Sequence, residues 1–297
     1  MGNSLGEVKK RISSTKSTAQ ITKAMYMVSS SKIKRAEKTY KGYKDFMMRI
    51  EDMVSNIVSI APEDFVHPLL SKRDVKKTAY LIITSDKGLA GAYNANIYKA
   101  LEEQIKQNHK SNDEFVCAAI GKKGFSFINK RQYPLVKDNS ISVRDDIIFM
   151  DIEGLAQEII NLYLSNKIDK LVIIHNHFVN SITYDVKIEE LLPILNLNKQ
   201  QKSVDYEYEG GIERTLDILL PMYVKDIIYG VILDSKCAEH SARMNAMKNA
   251  TDNANEVIDK LQLLYNRARQ NVITNELIDI IGGANAIGGN EWCLDTY

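Results

Sequence analysis

Two long stretches of the chain, one near each end, carry small or apolar residues three and four positions apart. In the N-terminal stretch these positions are Leu5, Val8, Ile12, Thr15, Ala19, Thr22, Tyr26, Ser29, Ile33, Ala36 and Tyr40. In the C-terminal stretch they are Met244, Met247, Thr251, Ala254, Ile258, Leu261, Tyr265, Ala268 and Val272. This spacing places each set on one narrow face of an α-helix, so the pattern predicts two long helices packed along a single seam.

The two predicted helices are much longer than the helices of an ordinary domain. Residues 4–61 contain no proline, and residues 234–281 contain neither glycine nor proline. Gly282-Gly283 predicts the end of the second helix, and Pro221 predicts a break in the helical segment that leads into it. Because both helices leave the same intervening segment, the simplest arrangement is an antiparallel pair that projects from a globular domain.

The middle of the chain has a different period, in which short apolar runs suited to buried strands alternate with helical stretches. Strands are predicted at residues 78–84, 115–120 and 171–174, with further strands or a hairpin at 184–188 and 206–209. Helices are predicted at residues 95–108, 124–130 and 152–165. This alternation predicts a doubly wound, Rossmann-like α/β domain.

The predicted fold class is therefore α/β, with a long antiparallel coiled coil of the N- and C-terminal helices and an inserted Rossmann-like α/β domain. We expect four parts along the chain. They are an N-terminal shaft helix at residues 1–61, the α/β domain at 78–210, a C-terminal shaft helix at 212–287 and a C-terminal extension at 288–297.

Charge changes this picture in one place. The 297 residues have a formal net charge of +1, but residues 1–50 hold twelve Lys or Arg against only Glu7, Glu37 and Asp45. The local excess of positive charge predicts an acidic partner for the N-terminal helix. Neutrality over the whole chain gives no general case for nucleic acid.

Cysteine content and hydropathy limit the cellular compartments in which we expect the protein. Cys117, Cys237 and Cys293 are scattered and form no C-x-x-C pair, so neither a disulfide framework nor a zinc site is indicated. A reducing, intracellular setting fits this pattern. There is no signal-peptide core and no apolar run of the ~18–20 residues that a membrane span needs, so we expect membrane association only through other proteins.

Three short motifs could carry chemistry, and each has a simpler interpretation. Residues 88–91 (Gly-Leu-Ala-Gly) follow the first strand, where a Rossmann domain binds phosphate, but lack the G-x-G-x-x-G spacing. Residues 121–124 (Gly-Lys-Lys-Gly) are interpreted as a turn. His175 and His177 could face one way on a strand as a metal pair, or form a hydrogen-bonded pair at the strand end. From these residues we predict no cofactor, no metal and no catalytic group.

Four segments, in order along the chain, resemble the γ subunit of F-type ATP synthase. They are residues 21–25 (Ile-Thr-Lys-Ala-Met), 84–89 (Thr-Ser-Asp-Lys-Gly-Leu), 242–253 (Ala-Arg-Met-Asn-Ala-Met-Lys-Asn-Ala-Thr-Asp-Asn) and 273–284 (Ile-Thr-Asn-Glu-Leu-Ile-Asp-Ile-Ile-Gly-Gly-Ala). The resemblance covers residues 5–287, and residues 288–297 extend past the usual end of the family.

The resemblance implies a non-catalytic rotor. In this family the helix pair is the central shaft inside a ring of α and β subunits, while the α/β domain holds the ε subunit and sits on the membrane ring of c subunits. Rotation links proton or sodium flow to ATP synthesis or hydrolysis, and the subunit regulates ATPase activity. It is expected at the cytoplasmic face of the cell membrane, as a peripheral part of the complex.

The same resemblance assigns contact residues. Lys23 and Met25 match positions near acidic loops of the β subunits. Positions that make polar contacts with a β-subunit loop correspond to Arg269, Gln270, Thr274 and Glu276. The apolar residues that follow them fit a sleeve at the top of the ring.

The residues alone leave two other functions to be weighed. A nucleic-acid-binding coiled coil would use the basic N-terminal helix and predicts steeply salt-dependent binding, although the neutral overall charge and the lack of clustered aromatics argue against it. A nucleotide-dependent enzyme built on the central domain predicts stoichiometric nucleotide binding, against which the missing phosphate-loop glycines argue.

Overall fold

The structure is a computed structural model that describes residues 5–62, 65–136, 141–195, 197 and 211–288. Its elements are α1 (Leu5–Ile60), β1 (Thr78–Ile83), α2 (Tyr93–Asn108), a short 3-10 helix (Asn112–Glu114), β2 (Phe115–Ile120), α3 (Lys122–Arg131), α4 (Phe149–Leu164), β3 (Lys170–Phe178), β4 (Tyr184–Leu192) and α5 (Ile212–Gly288). The chain divides into two compact units. Unit 1 takes residues 1–26 and 247–297, and unit 2 takes residues 27–246.

Unit 2 is built on a four-stranded sheet with the order β2-β1-β3-β4. β1 pairs in parallel with both β2 and β3, and β4 pairs antiparallel with β3 at the edge. The predicted α/β class with a Rossmann-like domain is confirmed, and the strands predicted at 78–84, 115–120, 171–174 and 184–188 all form. The strand predicted at 206–209 lies outside the described residues.

Side chains alternate between the two faces of this sheet, and helices cover both faces. Ala79, Leu81 and Ile83 of β1 pack into one core with residues of α4, α1 and α5. Tyr80 and Ile82 pack into a second core with α2 and α3. All six residues of β1 and all six of β2 are buried, as expected for parallel strands covered on both sides.

The junction between β2 and α3 requires glycine. Gly121 has a φ of +103°, and a Cβ built on it would lie 2.2 Å from the carbonyl oxygen of Thr84. The backbone N–H of Gly124 then donates to the Thr84 hydroxyl at 2.8 Å. The interpretation of residues 121–124 as a turn therefore holds for Gly121, while Lys122 already begins α3. Close packing against the end of β1 explains both glycines.

Two expectations about α5 are wrong. Pro221 lies inside a continuous helix and does not break it. Proline costs a helix interior about 3 kcal/mol, but α5 buries a run of apolar side chains on either side of it, each worth about 2 kcal/mol. These side chains are Leu216, Leu220, Val224 and Ile228. Tertiary packing outweighs the local penalty.

Gly282-Gly283 does not end α5 either, because the helix continues to Gly288. A glycine ends a helix when it takes a positive φ, and the described glycines with positive φ are Gly91, Gly121 and Gly211. Two glycines in helical conformation cost about 1 kcal/mol each relative to alanine, a penalty that does not force termination. Residues 289–297 of the predicted extension lie outside the described residues.

Candidate functional site

The two helices of unit 1 form an antiparallel pair. The hydroxyl of Thr251 donates to that of Thr22 at 2.7 Å. Further toward the start of α1, Val8 and Ile12 pack against Leu261 and Tyr265, which lie further toward the end of α5. Residues nearer the start of α1 therefore contact residues nearer the end of α5, which is the antiparallel arrangement expected from the sequence.

The seam of this pair is narrow and ends before the pattern does. Its buried apolar residues are Val8, Ile12, Ala19, Met247, Ala254 and Leu261. Val272, predicted as the last seam position, is 42% exposed. The reason is geometric, because the described part of α1 begins at Leu5 and the register leaves no α1 residue opposite Val272. Beyond Ala268, α5 continues as a single helix.

This single-helix segment, residues 269–285, is exposed at every position. Its apolar side chains are nevertheless large: Ile273 is 46% exposed, Leu277 54%, Ile280 67% and Ile281 59%. Residues spaced three and four apart share a face of a helix, so these four form one stripe, which we call the apolar stripe. A contiguous exposed stripe of this kind is typical of a surface that binds another protein.

The predicted contact residues of α5 border the apolar stripe. Thr274 lies along one side of it and Arg269 and Glu276 lie along the other, as the helical period requires. Gln270 lies in line with the stripe, just before its first residue. All four are exposed. The segment therefore has an apolar centre and a polar rim, the usual anatomy of a protein interface.

The two predicted contact residues of α1 lie elsewhere in unit 1. Lys23 is exposed and Met25 is half-buried, and both follow Thr22, which sits opposite Thr251. At ~1.5 Å per residue, Arg269 is about 27 Å further along α5 than Thr251. The structure therefore forms two separate candidate contact surfaces on this helix pair rather than one site.

The α1 surface is strongly basic. Within the described part of unit 1, α1 exposes Lys9, Lys10, Arg11, Lys16 and Lys23. Glu7 is its single acidic residue in this part. The excess of positive charge that the sequence shows in this helix therefore lies on its exposed surface.

The carboxyl end of the sheet in unit 2 is the other place to look for a ligand, because doubly wound folds bind ligands there. The loop at residues 88–91 packs on α5, with Ala90 and Tyr93 buried against Ala238 and Ala242. The Arg243 guanidinium donates to the carbonyl oxygens of Lys87 and Gly88 at 3.2 and 3.4 Å. This loop holds the shaft helix, which disfavours the nucleotide-dependent alternative.

The two histidines of β3 lie at the same end of the sheet and do face one way. His177 Nδ1 is 2.7 Å from a carboxylate oxygen of Asp234 on α5, and His175 Nδ1 is 3.9 Å from the same oxygen. The predicted hydrogen bond forms for His177 only, since both ring nitrogens of the buried His175 lack a hydrogen-bond partner within the described residues. Among those residues, no three His, Cys, Asp or Glu side chains are placed to hold a metal ion.

Sequence reasoning missed one cluster in α5. Lys236, Glu239 and His240 are buried, and Arg243 is only 11% exposed in its side chain. The available signal is their spacing, because charged residues at i, i+3, i+4 and i+7 fall on one helix face within a stretch that is otherwise buried. Buried charges need partners, and these residues have them within unit 2.

No helix in the described parts of the chain is long and apolar enough to cross a membrane.

Comparison with known proteins assigns the family. A sequence profile described as ATP synthase matches residues 4–287. The chain is 43% identical over 288 residues to the ATP synthase gamma chain of Staphylococcus saprophyticus, covering 96% of this chain and 99% of that protein. It is equally identical, at 43% over 287 residues, to the ATP synthase gamma chain of Macrococcus caseolyticus, with 96% and 99% covered.

Solved structures agree with this match. The central stalk of the Tetrahymena thermophila mitochondrial ATP synthase aligns with a TM-score of 0.58 at 28% identity, covering 77% of this chain and 99% of that chain. A rotor chain of the Euglena gracilis mitochondrial ATP synthase aligns with a TM-score of 0.60 at 17% identity, covering 91% and 98%, and shows the fold alone. The protein therefore belongs to the family of ATP synthase gamma chains.

Proposed function

We propose that this chain is the non-catalytic central rotor of an ATP synthase. Its helix pair turns within a ring of α and β subunits, and its α/β domain binds the ε subunit and stands on a membrane ring of c subunits. Rotation links the flow of protons or sodium ions to ATP synthesis or hydrolysis and regulates the ATPase. The subunit is peripheral, at the cytoplasmic face of the cell membrane.

The proposal rests above all on the apolar stripe. Ile273, Leu277, Ile280 and Ile281 are each about half exposed or more, although apolar burial is worth about 25 cal/mol per Å². A helix that presents such a stripe beyond the end of its partner helix gains that free energy only when a second protein surrounds it. An apolar sleeve formed by the α and β subunits supplies this environment.

The polar and basic residues fit the same proposal. The five exposed cations of α1 in unit 1, Lys23 among them, complement acidic loops of the β subunits. Arg269, Gln270, Thr274 and Glu276 make polar contacts around the stripe, and Met25 contributes a half-buried apolar side chain two residues after Lys23. Exposed ion pairs are worth only ~0–1 kcal/mol each, so contacts of this kind break and re-form readily as a shaft turns.

In this proposal the parts of the chain have distinct tasks. Residues 1–61 and 212–287 form the shaft, and residues 78–210 form the base that binds ε and the c ring. Residues 288–297 follow the shaft helix in the sequence.

The test is to co-express the chain with α and β subunits from the same source and to measure assembly and sustained ATPase turnover. Deleting residues 273–297 removes the apolar stripe and is expected to abolish sustained turnover. Arg269→Gln is expected to lower turnover by about fivefold or less, the size of one exposed ion pair. Lys260→Gln is the control, because Lys260 is also an exposed cation of α5 but lies ~14 Å before Arg269, outside the single-helix segment.

Failure of the chain to join α and β subunits at any salt concentration would rule out the rotor. Steeply salt-dependent binding to DNA or RNA in the same preparation would then favour the nucleic-acid alternative. Equal turnover of Arg269→Gln and Lys260→Gln would remove Arg269 from the contact surface without affecting the rest of the proposal.

A further inference from the structure

The loop at residues 141–147 of unit 2 is fastened to the α/β domain at its start and to α5 at its end. Near its start, the Gly121 N–H donates to the Ile141 carbonyl at 2.8 Å, and the Ser142 hydroxyl donates to the carboxylate of Asp86 at 2.5 Å. At its end, the Tyr229 hydroxyl of α5 donates to the Ile147 carbonyl at 3.1 Å. The loop is therefore a fixed bracket beside α5.

One side chain of this bracket reaches both long helices. Asp145 Oδ2 lies 2.6 Å from the Lys32 ammonium of α1. Its other oxygen lies 3.1 Å from the Lys236 ammonium and 3.1 Å from His240 Nε2, both on α5. One carboxylate thus joins the loop, α1 and α5.

On α5, the Lys236 side chain of this contact is buried, and its ammonium has an acceptor for each of its donors. The Lys236 ammonium has three N–H donors and three acceptors at 3.1 Å, namely the Asp145 carboxylate, the Glu239 carboxylate and the Val143 carbonyl of the loop. The Lys236 side chain is 7% exposed. Leaving a buried ammonium without one of its partners is costly, so the geometry favours a single arrangement of the loop on the helix.

The charges around the carboxylate support this arrangement. Burial alone would raise the pKa of Asp145, but the hydrogen bond from Lys32 and the charge of Lys236 hold that pKa well below its usual range. Burial and the neighbouring Lys236 lower the pKa of His240 to about 4, so this imidazole is neutral at physiological pH, with its Nε2 at 3.1 Å from the carboxylate. The network extends further along α5, because Glu239 pairs with Arg243 at 2.8 Å. Arg243 in turn donates to the Lys87 carbonyl oxygen in the loop that follows β1.

The helix seam in unit 2 gives a reason for such a joint. The small residues Ser29 of α1 and Cys237 of α5 are buried there, with Ile33 of α1. Small side chains let helices approach closely but interlock less than large ones, so they resist sliding and turning weakly. Directional charge-assisted hydrogen bonds resist both motions.

We infer that Asp145 is the joint that locks α1 and α5 to the α/β domain, so that torque on either helix is carried by all three. This inference rests on the proposed rotor function and adds the positioning residue through which the torque passes. Asp145 touches no reacting atom. Lys32, Lys236 and His240 are its partners.

The test uses the full chain in the assembled complex, with Asp145→Asn as the main variant. Asp146→Asn is the matched control, since the side chain of the neighbouring Asp146 is 81% exposed and its ion pair within the described residues is with Arg144 at 3.7 Å. Lys32→Gln removes the α1 side of the joint alone, with Lys34→Gln as its exposed control. The readouts are amide hydrogen exchange over residues 141–147 and ions pumped per ATP hydrolysed, measured with proton and sodium indicators in vesicles.

Asp145→Asn is expected to speed exchange of these amides by about tenfold, because a hydrogen bond to a charged group contributes about 1.5 kcal/mol or more. Pumping per ATP is expected to fall several-fold in Asp145→Asn and in Lys32→Gln, while both controls match the wild-type chain. The Lys32 variant keeps the question decidable if the Asp145 variant does not fold.

Two failures are distinguishable. If the wild-type chain does not assemble with α and β subunits, the rotor function fails, whatever the variants do. If the wild-type complex pumps and Asp145→Asn pumps as well per ATP as Asp146→Asn, the joint is overturned while the rotor stands. Faster exchange with unchanged pumping has the same meaning, because the contact would then be structural only.

Discussion

The two ends of α5 present similar side chains to opposite environments. Near its start, Leu216, Leu220 and Val224 are completely buried in the core of unit 2. Near its end, in unit 1, Leu277 and Ile281 are 54% and 59% exposed. Near the start of α5 the apolar side chains therefore pack within the chain. Near its end they are exposed and available to bind another protein. Substitutions that are alike in chemistry should have very different effects at the two ends.

The largest expected effect is that of Leu220→Ala. Its side chain is completely buried, so truncation should lower the free energy of unfolding of the isolated chain by about 2–5 kcal/mol. Leu277→Ala, the matched control, should change it by no more than about 0.5 kcal/mol, because the side chain is exposed. Urea unfolding followed by circular dichroism measures both. Equal losses would mean that the end of α5 is packed within the isolated chain.

This contrast also explains what could be predicted from the sequence. The three-four spacing predicted α1 and the seam of unit 1, because a narrow helix pair depends on local periodicity. The antiparallel direction was predicted from the single segment that joins the two helices. The apolar runs likewise predicted β1, β2 and β3, since buried parallel strands leave an unbroken apolar signature. Where local pattern and tertiary packing agree, the prediction holds.

The predictions failed where packing overrides a local signal. Pro221 stays helical because the surrounding face of α5 is buried, and Val272 is exposed because no described residue of α1 reaches it. The residues next to Pro221 and Val272 in the sequence predict neither outcome. Asp145 was missed for the same reason, because its partners Lys32 and Lys236 lie 113 and 91 positions away in the sequence.

The roles of Lys23, Met25, Arg269, Gln270, Thr274 and Glu276 remain predictions from family resemblance. The structure places them on exposed or half-exposed faces of unit 1. Contacts of this kind depend on a second protein, so neither the pattern of this chain nor its intrachain packing specifies them.

Lowering the pH should reduce folding stability by an intermediate amount, through His240 in the buried part of α5. The pKa of His240 is lowered to about 4 by burial and by Lys236, from an unfolded value of 6.5. As pH falls through 6.5 the unfolded chain takes up this proton and the folded chain does not, so folding stability is lost between about pH 6.5 and 4. At pH 5 the loss from this one group is about 2 kcal/mol.

His240→Gln isolates that contribution, because glutamine keeps a polar side chain at this position but does not titrate. The variant should lose about 2 kcal/mol less than the wild-type chain between pH 7 and pH 5 in urea unfolding. His67 and His109, whose pKa values burial also lowers, are present in both proteins and cancel. The charged groups nearest His240 are Lys236, Glu239 and Asp145. Parallel pH profiles for the two proteins would show that His240 is not held neutral.

The smallest effect should come from the seam of unit 1, where burial is slight. Thr251→Val keeps the shape of the side chain but removes the hydroxyl that donates to Thr22 at 2.7 Å. The Thr22 hydroxyl can still donate to the carbonyls of Thr18 or Ala19 at 3.1 Å, so the loss should be about 1 kcal/mol, or about fivefold faster amide exchange in residues 247–268. Thr18→Val is the control, because its exposed hydroxyl bonds only within α1. If both variants exchange alike, the Thr22–Thr251 bond does not hold the helix pair together, and the few buried apolar residues of the seam must do so alone.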